Sequence, residues 1–200
     1  MIRAIFRWLF KTFGWQADRN IPPFADKRCI MIAAPHTYLL DPFITQTAFD
    51  LCDIKVKIAI ADKFAVWPIK TLMESMGAIW IDRSQREGTD RPSYTDMLIK
   101  LFETNENLIL VISPEGTRSL KARWKSGFYH IAKQANVPIC FGYLDYKKKI
   151  AGVGGSIIPS DDIVSDMQTI MKFYKTVTPF HPEKFSIDDR YTPTFEDKVR

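Results

Sequence analysis

Short apolar runs and longer amphipathic stretches alternate along most of this chain. Arg28–Ala34, Val56–Ala61, Ala78–Ile81 and Leu108–Ile112 have the length and the Ile, Val and Ala content of buried strands. Between and after them, Pro42–Asp53, Pro68–Met76, Pro92–Glu103 and Phe128–Ala135 read as helices, and the first three open at a proline, which suits a first helical turn. Ile139–Tyr146 and the stretch from Ile157 read as late strands. They are joined by Lys147–Lys149 and by Gly152–Gly155, a glycine cluster that reads as a hairpin turn because it lacks the strand-turn-helix setting of a nucleotide loop. Asp161–Thr176 predicts a closing helix, and residues 178–200, rich in Pro, Asp and Lys, predict an irregular tail. Such alternation predicts an α/β domain over residues 27–177, with a mostly parallel or mixed sheet flanked by helices. No internal repeat interrupts it.

The first fifteen residues follow a different pattern. At about 100° per residue, Ile2, Ile5, Phe6, Leu9 and Phe13 share one helical arc, with Arg3, Arg7 and Lys11 nearly opposite. Trp8 and Phe10 fall at the edges of the apolar face. Basic residues break the run too often for a spanning helix or a signal-peptide core. The segment is read as an in-plane membrane helix, with Ile2, Phe6, Trp8, Leu9 and Phe13 as docking residues; a helix packed on the protein's own core is the competing reading. Residues 16–26, with Ile21-Pro22-Pro23-Phe24, read as a rigid linker.

Composition narrows the function class. An apolar share of 46% over 200 residues is enough for one core. The net charge is +5, but Arg3, Arg7 and Lys11 supply three of those charges with no acid before Asp18, so the excess is local and argues against a nucleic-acid surface. Cys29, Cys52 and Cys140 are far apart in apolar surroundings and read as buried thiols in a reducing compartment. His36, His130 and His181 are scattered, and no metal-binding spacing is present.

The candidate chemistry lies where apolar runs end. His36 and Asp41 follow the run Cys29–Ala34. A histidine is the usual base for a hydroxyl proton, and a carboxylate on its other nitrogen fixes the tautomer. Residues five apart on one regular helix lie about 140° apart. The pair therefore requires a turn, with His36 in the loop and Asp41 at the start of the helix opened by Pro42. Each residue also has a plainer reading, His36 as a loop histidine satisfying backbone groups and Asp41 as an N-cap. Pro114-Glu115-Gly116-Thr117-Arg118-Ser119 follows Leu108–Ile112, and Arg118, Lys121, Arg123 and Lys125 occur with no acid from Thr117 to Gly127. A guanidinium fork suits a phosphate, Glu115 is placed to orient it, and Gly116 permits close backbone approach; a solvated basic turn is the alternative. Arg83, ending the strand that follows Gly77, is a second candidate phosphate ligand or a surface residue. Lys125 extends the phosphate site or belongs to a turn. Trp67-Pro68, Leu72 and Met76 line an acyl-chain groove or form core.

These blocks, with Val137-Pro138-Ile139, occur in the order His-x4-Asp, Gly–Arg strand, Glu-Gly-Thr-Arg, Val-Pro-Ile, and the chain resembles the glycerolipid acyltransferase family, which includes the 1-acylglycerol-3-phosphate acyltransferases. The resemblance covers residues from about 30 to 140. It implies His36 as base and Asp41 as its partner. It also implies an acceptor phosphate site from Arg83, Glu115, Gly116, Thr117 and Arg118, and direct attack on a thioester without an acyl-enzyme. The implied reaction moves a fatty acyl group from acyl-CoA or acyl-carrier protein to lysophosphatidic acid, giving phosphatidic acid, at the cytoplasmic face of a membrane and with no cofactor. Pro35 and Tyr38 stand where the family often has Asn and Ser, Leu39-Leu40 where Trp or polar residues are common, and Cys140 where a second Pro is usual. These departures leave the dyad intact and keep another lysolipid or glycerol-3-phosphate open as acceptor. A catalytically idle membrane-binding protein is the rival from another class. A thioesterase would use water, and a serine lipase is disfavoured because no Gly-x-Ser-x-Gly elbow occurs.

Overall fold

The elements follow from where apolar side chains recur with a strand or helix period. The computed structural model describes residues 2–25, 27–62, 65–81 and 93–192. In chain order they form α1 (Ile2–Thr12), β1 (Gln16–Ala17), β2 (Cys29–Ala33), α2 (Asp41–Leu51), β3 (Val56–Ala61), α3 (Ile69–Ser75) and β4 (Ala78–Ile81). Then come α4 (Tyr94–Thr104), β5 (Ile109–Ile112), α5 (Gly127–Gln134), β6 (Ile139–Asp145), β7 (Ile150–Ile157) and α6 (Ile163–Tyr174). The predicted start of the fourth helix at Pro92 lies outside the described residues. Ser93 caps α4 in a reciprocal box with Asp96.

The strands make one seven-stranded sheet in the order β1-β7-β6-β2-β5-β3-β4. Its pairs are parallel except β6 with β7. The fold is α/β with a mixed sheet, as the alternation predicts. β2 lies between β5 and β6 and is almost wholly buried. Its alternation divides the core: Ile30 and Ile32 pack with Leu110, Phe128 and Met171 on one face, Cys29 and Met31 with Phe49 and Val111 on the other. Cys29 and Cys140 are buried, whereas Cys52 is only half-buried and donates to Asp18 O at 3.3 Å.

Two differences from the sequence expectation have clear causes. Gly152–Gly155 lies inside β7, and the turn is Tyr146–Lys149. A Cβ at Gly154 would collide with the Phe173 ring, and one at Gly152 would come within 2.7 Å of Asp18 Cβ, so these glycines permit close packing on a strand and do not reverse the chain. In the expected linker, Gln16–Ala17 adds a short parallel edge to β7, and Trp15 just before it is buried.

The N-terminal helix is oriented differently from the helical-wheel expectation. Phe6 stacks on Phe43 of α2 with centroids 5.2 Å apart, and Phe10 is buried against Trp15. Arg3 donates to Ser75 O, and Arg7 to Asp50 O. Phe6 is therefore a packing residue and not an outward docking residue, because Phe6 and Phe10, one helical turn apart, meet α2 together with the two arginines. Ile5, Trp8 and Phe13 are exposed and Leu9 is half-buried; the side chain of Ile2 lies outside the described ones. Among the described residues, no helix is long and apolar enough to cross a membrane.

Between α6 and Thr192 the described residues are irregular apart from two short 3-10 turns, yet they are packed. Buried Asp188 accepts from Trp124 N–H at 2.8 Å and pairs with Arg190, which donates to Trp124 O. At its other end, Phe180 stacks on Tyr38, and His181 N–H donates to Thr37 Oγ1. Residues 178–192 thus form a strap across two loops.

Candidate active site

β2 and β5 are neighbouring parallel strands, with Ile32 opposite Ile112. Their carboxyl ends therefore release the loop 34–40 and the loop from Ser113 side by side, where ligand sites of open α/β sheets gather. Asp41 opens α2 and is only 2% exposed. Its carboxylate turns back into the preceding loop, and no side-chain cap is present at Leu40, the N-cap position. Asp41 Oδ2 accepts from Thr37 N–H and Tyr38 N–H, both at 2.8 Å, and lies 3.4 Å from His36 Nδ1. Asp41 Oδ1 accepts from Tyr146 Oη–H at 2.5 Å. The turn required by the five-residue spacing is thus wound around the carboxylate itself. With Nδ1 on Asp41, Nε2 is the nitrogen on the far edge of the ring, and His36 lines a cleft.

Glu115 is also buried, and it serves a different part of the site from the one expected. Its Oε2 accepts from His36 N–H at 3.0 Å, while Oε1 is buried without a hydrogen-bond partner. Burial pushes its carboxyl up to about 8; the His36 N–H acts in the opposite direction, and the nearby Asp41 charge adds to the rise. Glu115 therefore supports the histidine's backbone and does not orient Arg118. Two acidic side chains hold one loop, Asp41 from within and Glu115 from β5's side.

Gly116 has φ +67, and a Cβ there would come within 3.2 Å of Lys125 Nζ, so the glycine lets that ammonium lie against the backbone. Lys125 N–H donates to Pro114 O, tying the two parts of this loop together. Gly116, Thr117 and Arg118 line the same cleft as His36. Among the described residues, neither Arg118 nor Lys125 pairs with a carboxylate. Arg83 lies outside the described residues.

The cleft encloses about 530 Å³, within the usual range for small-molecule sites. Much of its wall is apolar: Val56, Ile58 and Ile60 of β3, Met73 of α3, Trp80 of β4 and Tyr94 of α4. Trp67, Pro68, Leu72 and Met76, considered from sequence as groove residues, do not line it. Trp67 is 85% exposed and Met76 is buried in the core. α3 turns Met73 toward the cleft instead. A groove lined by a histidine, an apolar wall and an arginine that pairs with no carboxylate among the described residues has the chemistry to take an amphiphile carrying an anionic head.

A family model described as Acyltransferase matches residues 16–141, more than half of the chain. The chain belongs to the acyltransferase family. Comparison with curated proteins finds no match to it. As an acyltransferase it takes an acyl donor and an acyl acceptor. The matched span contains His36, Asp41, Glu115 and Arg118. Tyr146 and the strap lie beyond it in this acyltransferase and still reach the His36 loop. Sequence reasoning missed Tyr146 because an aromatic ending a predicted strand has no periodic or motif signal. It missed Thr37 and the strap because their partners are distant in sequence.

Proposed function

We propose that this acyltransferase moves a fatty acyl group from an acyl-CoA or acyl-carrier-protein thioester to the free hydroxyl of lysophosphatidic acid, giving phosphatidic acid. The observation that carries this reading is His36, with Nδ1 against a fully held Asp41, in one cleft with Gly116–Arg118 and a long apolar wall. His36 Nε2 takes the proton of the acceptor hydroxyl as its oxygen attacks the thioester carbonyl carbon. Asp41 stabilises the imidazolium that forms. Collapse of the tetrahedral adduct breaks the carbon–sulfur bond, and the departing thiolate takes the proton from the imidazolium. No acyl-enzyme and no cofactor enter the scheme.

Arg118 and Lys125 hold the acceptor phosphate beside Gly116 and Thr117, with Arg83 a further ligand. The apolar wall takes the acyl chain. The protein sits peripherally on the cytoplasmic face of a membrane, with the exposed Ile5 and Trp8 of α1 and Phe13 just after it inserted among lipids. A lipid acceptor then need not leave the bilayer.

The test is release of free thiol from acyl-CoA and from acyl-carrier protein by wild type and His36→Ala. Each is assayed with lysophosphatidic acid, another lysolipid, glycerol-3-phosphate or no acceptor. Release that requires lysophosphatidic acid, with kcat falling ~10²–10⁴-fold in a folded His36→Ala, is the expected result. Preference for another acceptor would reassign the substrate, and acceptor-independent release would mean a thioesterase. No release from either donor would mean an idle membrane-binding protein, and a fully active His36→Ala would remove the base.

A further inference from the structure

Tyr146 lies on the turn after β6, outside the residues matched to the family and 105 positions from Asp41, to whose Oδ1 it donates. The residue is held from three directions, its ring from two and its backbone from the third. The Trp15 ring meets it edge-on at 4.9 Å, the Phe180 ring lies at 5.0 Å, and Tyr146 N–H donates to Thr178 O at 2.9 Å. The hydroxyl is thus fixed before any substrate arrives.

Rotation of a carboxylate about its last torsion is soft, with broad and roughly two-fold wells. Asp41 needs one particular oxygen, Oδ2, facing Thr37 N–H, Tyr38 N–H and His36 Nδ1 together. A donor clamped on Oδ1 fixes that rotation. We propose that Tyr146 is a positioning residue for the reaction: by holding Asp41 Oδ1 it sets the plane in which Oδ2 grips the His36 loop and orients the imidazole. The phenol keeps its proton, because burial and the adjoining Asp41 raise its pKa far above the ordinary tyrosine range. It therefore acts as a donor throughout and takes no part in proton transfer.

This inference rests on His36 being the base, so His36→Ala is assayed in parallel. Tyr146→Phe removes one oxygen and leaves the ring in its aromatic box. In steady-state acyl transfer below both unfolding midpoints, Tyr146→Phe is expected to lower kcat at least about tenfold, in line with the cost of small misplacements at a reacting centre. Acceptor and donor KM should stay within about twofold, because the lost interaction matters in the transition state. A kcat within about twofold of wild type, with His36→Ala inactive, overturns the positioning role and leaves the base intact. A rise in KM at unchanged kcat, or loss of the folded state in Tyr146→Phe, likewise overturns it by assigning the tyrosine to binding or to stability. An active His36→Ala overturns both readings together.

Discussion

Glu115 carries a cost that varies with pH. Its carboxyl is shifted from an ordinary 4.5 up to about 8 by burial and by Asp41, against the pull of His36 N–H. Between those values the native state keeps a proton that the unfolded chain releases. Stability contributed by the neutral acid is therefore fully present below about pH 4.5 and falls as pH rises toward about 8. At about 1.4 kcal/mol per pKa unit the loss is on the order of a few kcal/mol. Glu115→Gln keeps an acceptor for His36 N–H and removes the titration. Wild type is expected to lose melting temperature relative to Glu115→Gln on going from about pH 5 to pH 8, by about 2–4 °C per kcal/mol. Thermal melts of both proteins across that range check it, and parallel curves would exclude Glu115 as the titrating group. The sequence marks Glu115 as a candidate site residue but not its direction. That depends on β5 lying beside β2 in the register Ile32–Ile112, which brings the carboxyl group to the histidine's backbone and not to Arg118.

Most elements were legible because their burial is periodic. β2, β3, β4 and β5 match the apolar runs to within a residue or two, as do the helices between them. The failures are places where a distant partner outweighs the local cue. Gly152–Gly155 has turn chemistry, but Phe173 and Asp18 need the space. The α1 wheel separates an apolar from a basic face, but Arg3 and Arg7 find acceptors on Ser75 and Asp50 and draw the helix onto α2. This division predicts two different phenotypes within one N-terminal segment. Replacing Trp8 and Phe13 by serine should release the protein from anionic vesicles while leaving its melting temperature nearly unchanged, because both side chains are exposed. Phe6→Ala should instead destabilise the fold by roughly 1–3 kcal/mol, through loss of a half-buried ring stacked on Phe43, and so lower the melting temperature. Vesicle sedimentation and thermal melts of the two variants separate the roles; undiminished sedimentation of the double serine variant would exclude those two side chains from docking.

Across the whole molecule, the sheet order brings together blocks far apart in the chain, and the strap of residues 178–192 closes over them. The α/β class was legible from the alternation alone, but not the strand order or the strap, since neither leaves a periodic trace. The strap holds Tyr146 N–H through Thr178 O at one end and Trp124 N–H through Asp188 at the other. Burial disfavours the Asp188 charge, but donors from Arg190 and Trp124 prevail and keep its carboxyl below the usual range, so the second anchor is ionic at neutral pH. Amides closed by one segment share its fluctuations. In native-state hydrogen exchange, Tyr146 and Trp124 are expected to open with one free energy, and Asp188→Ala to speed exchange at both. Acceleration confined to Trp124 would mean the strap peels in sections. Shared exchange would make the turn that holds Asp41 through Tyr146 and the loop that carries the arginine parts of one cooperative unit, assembled or lost together.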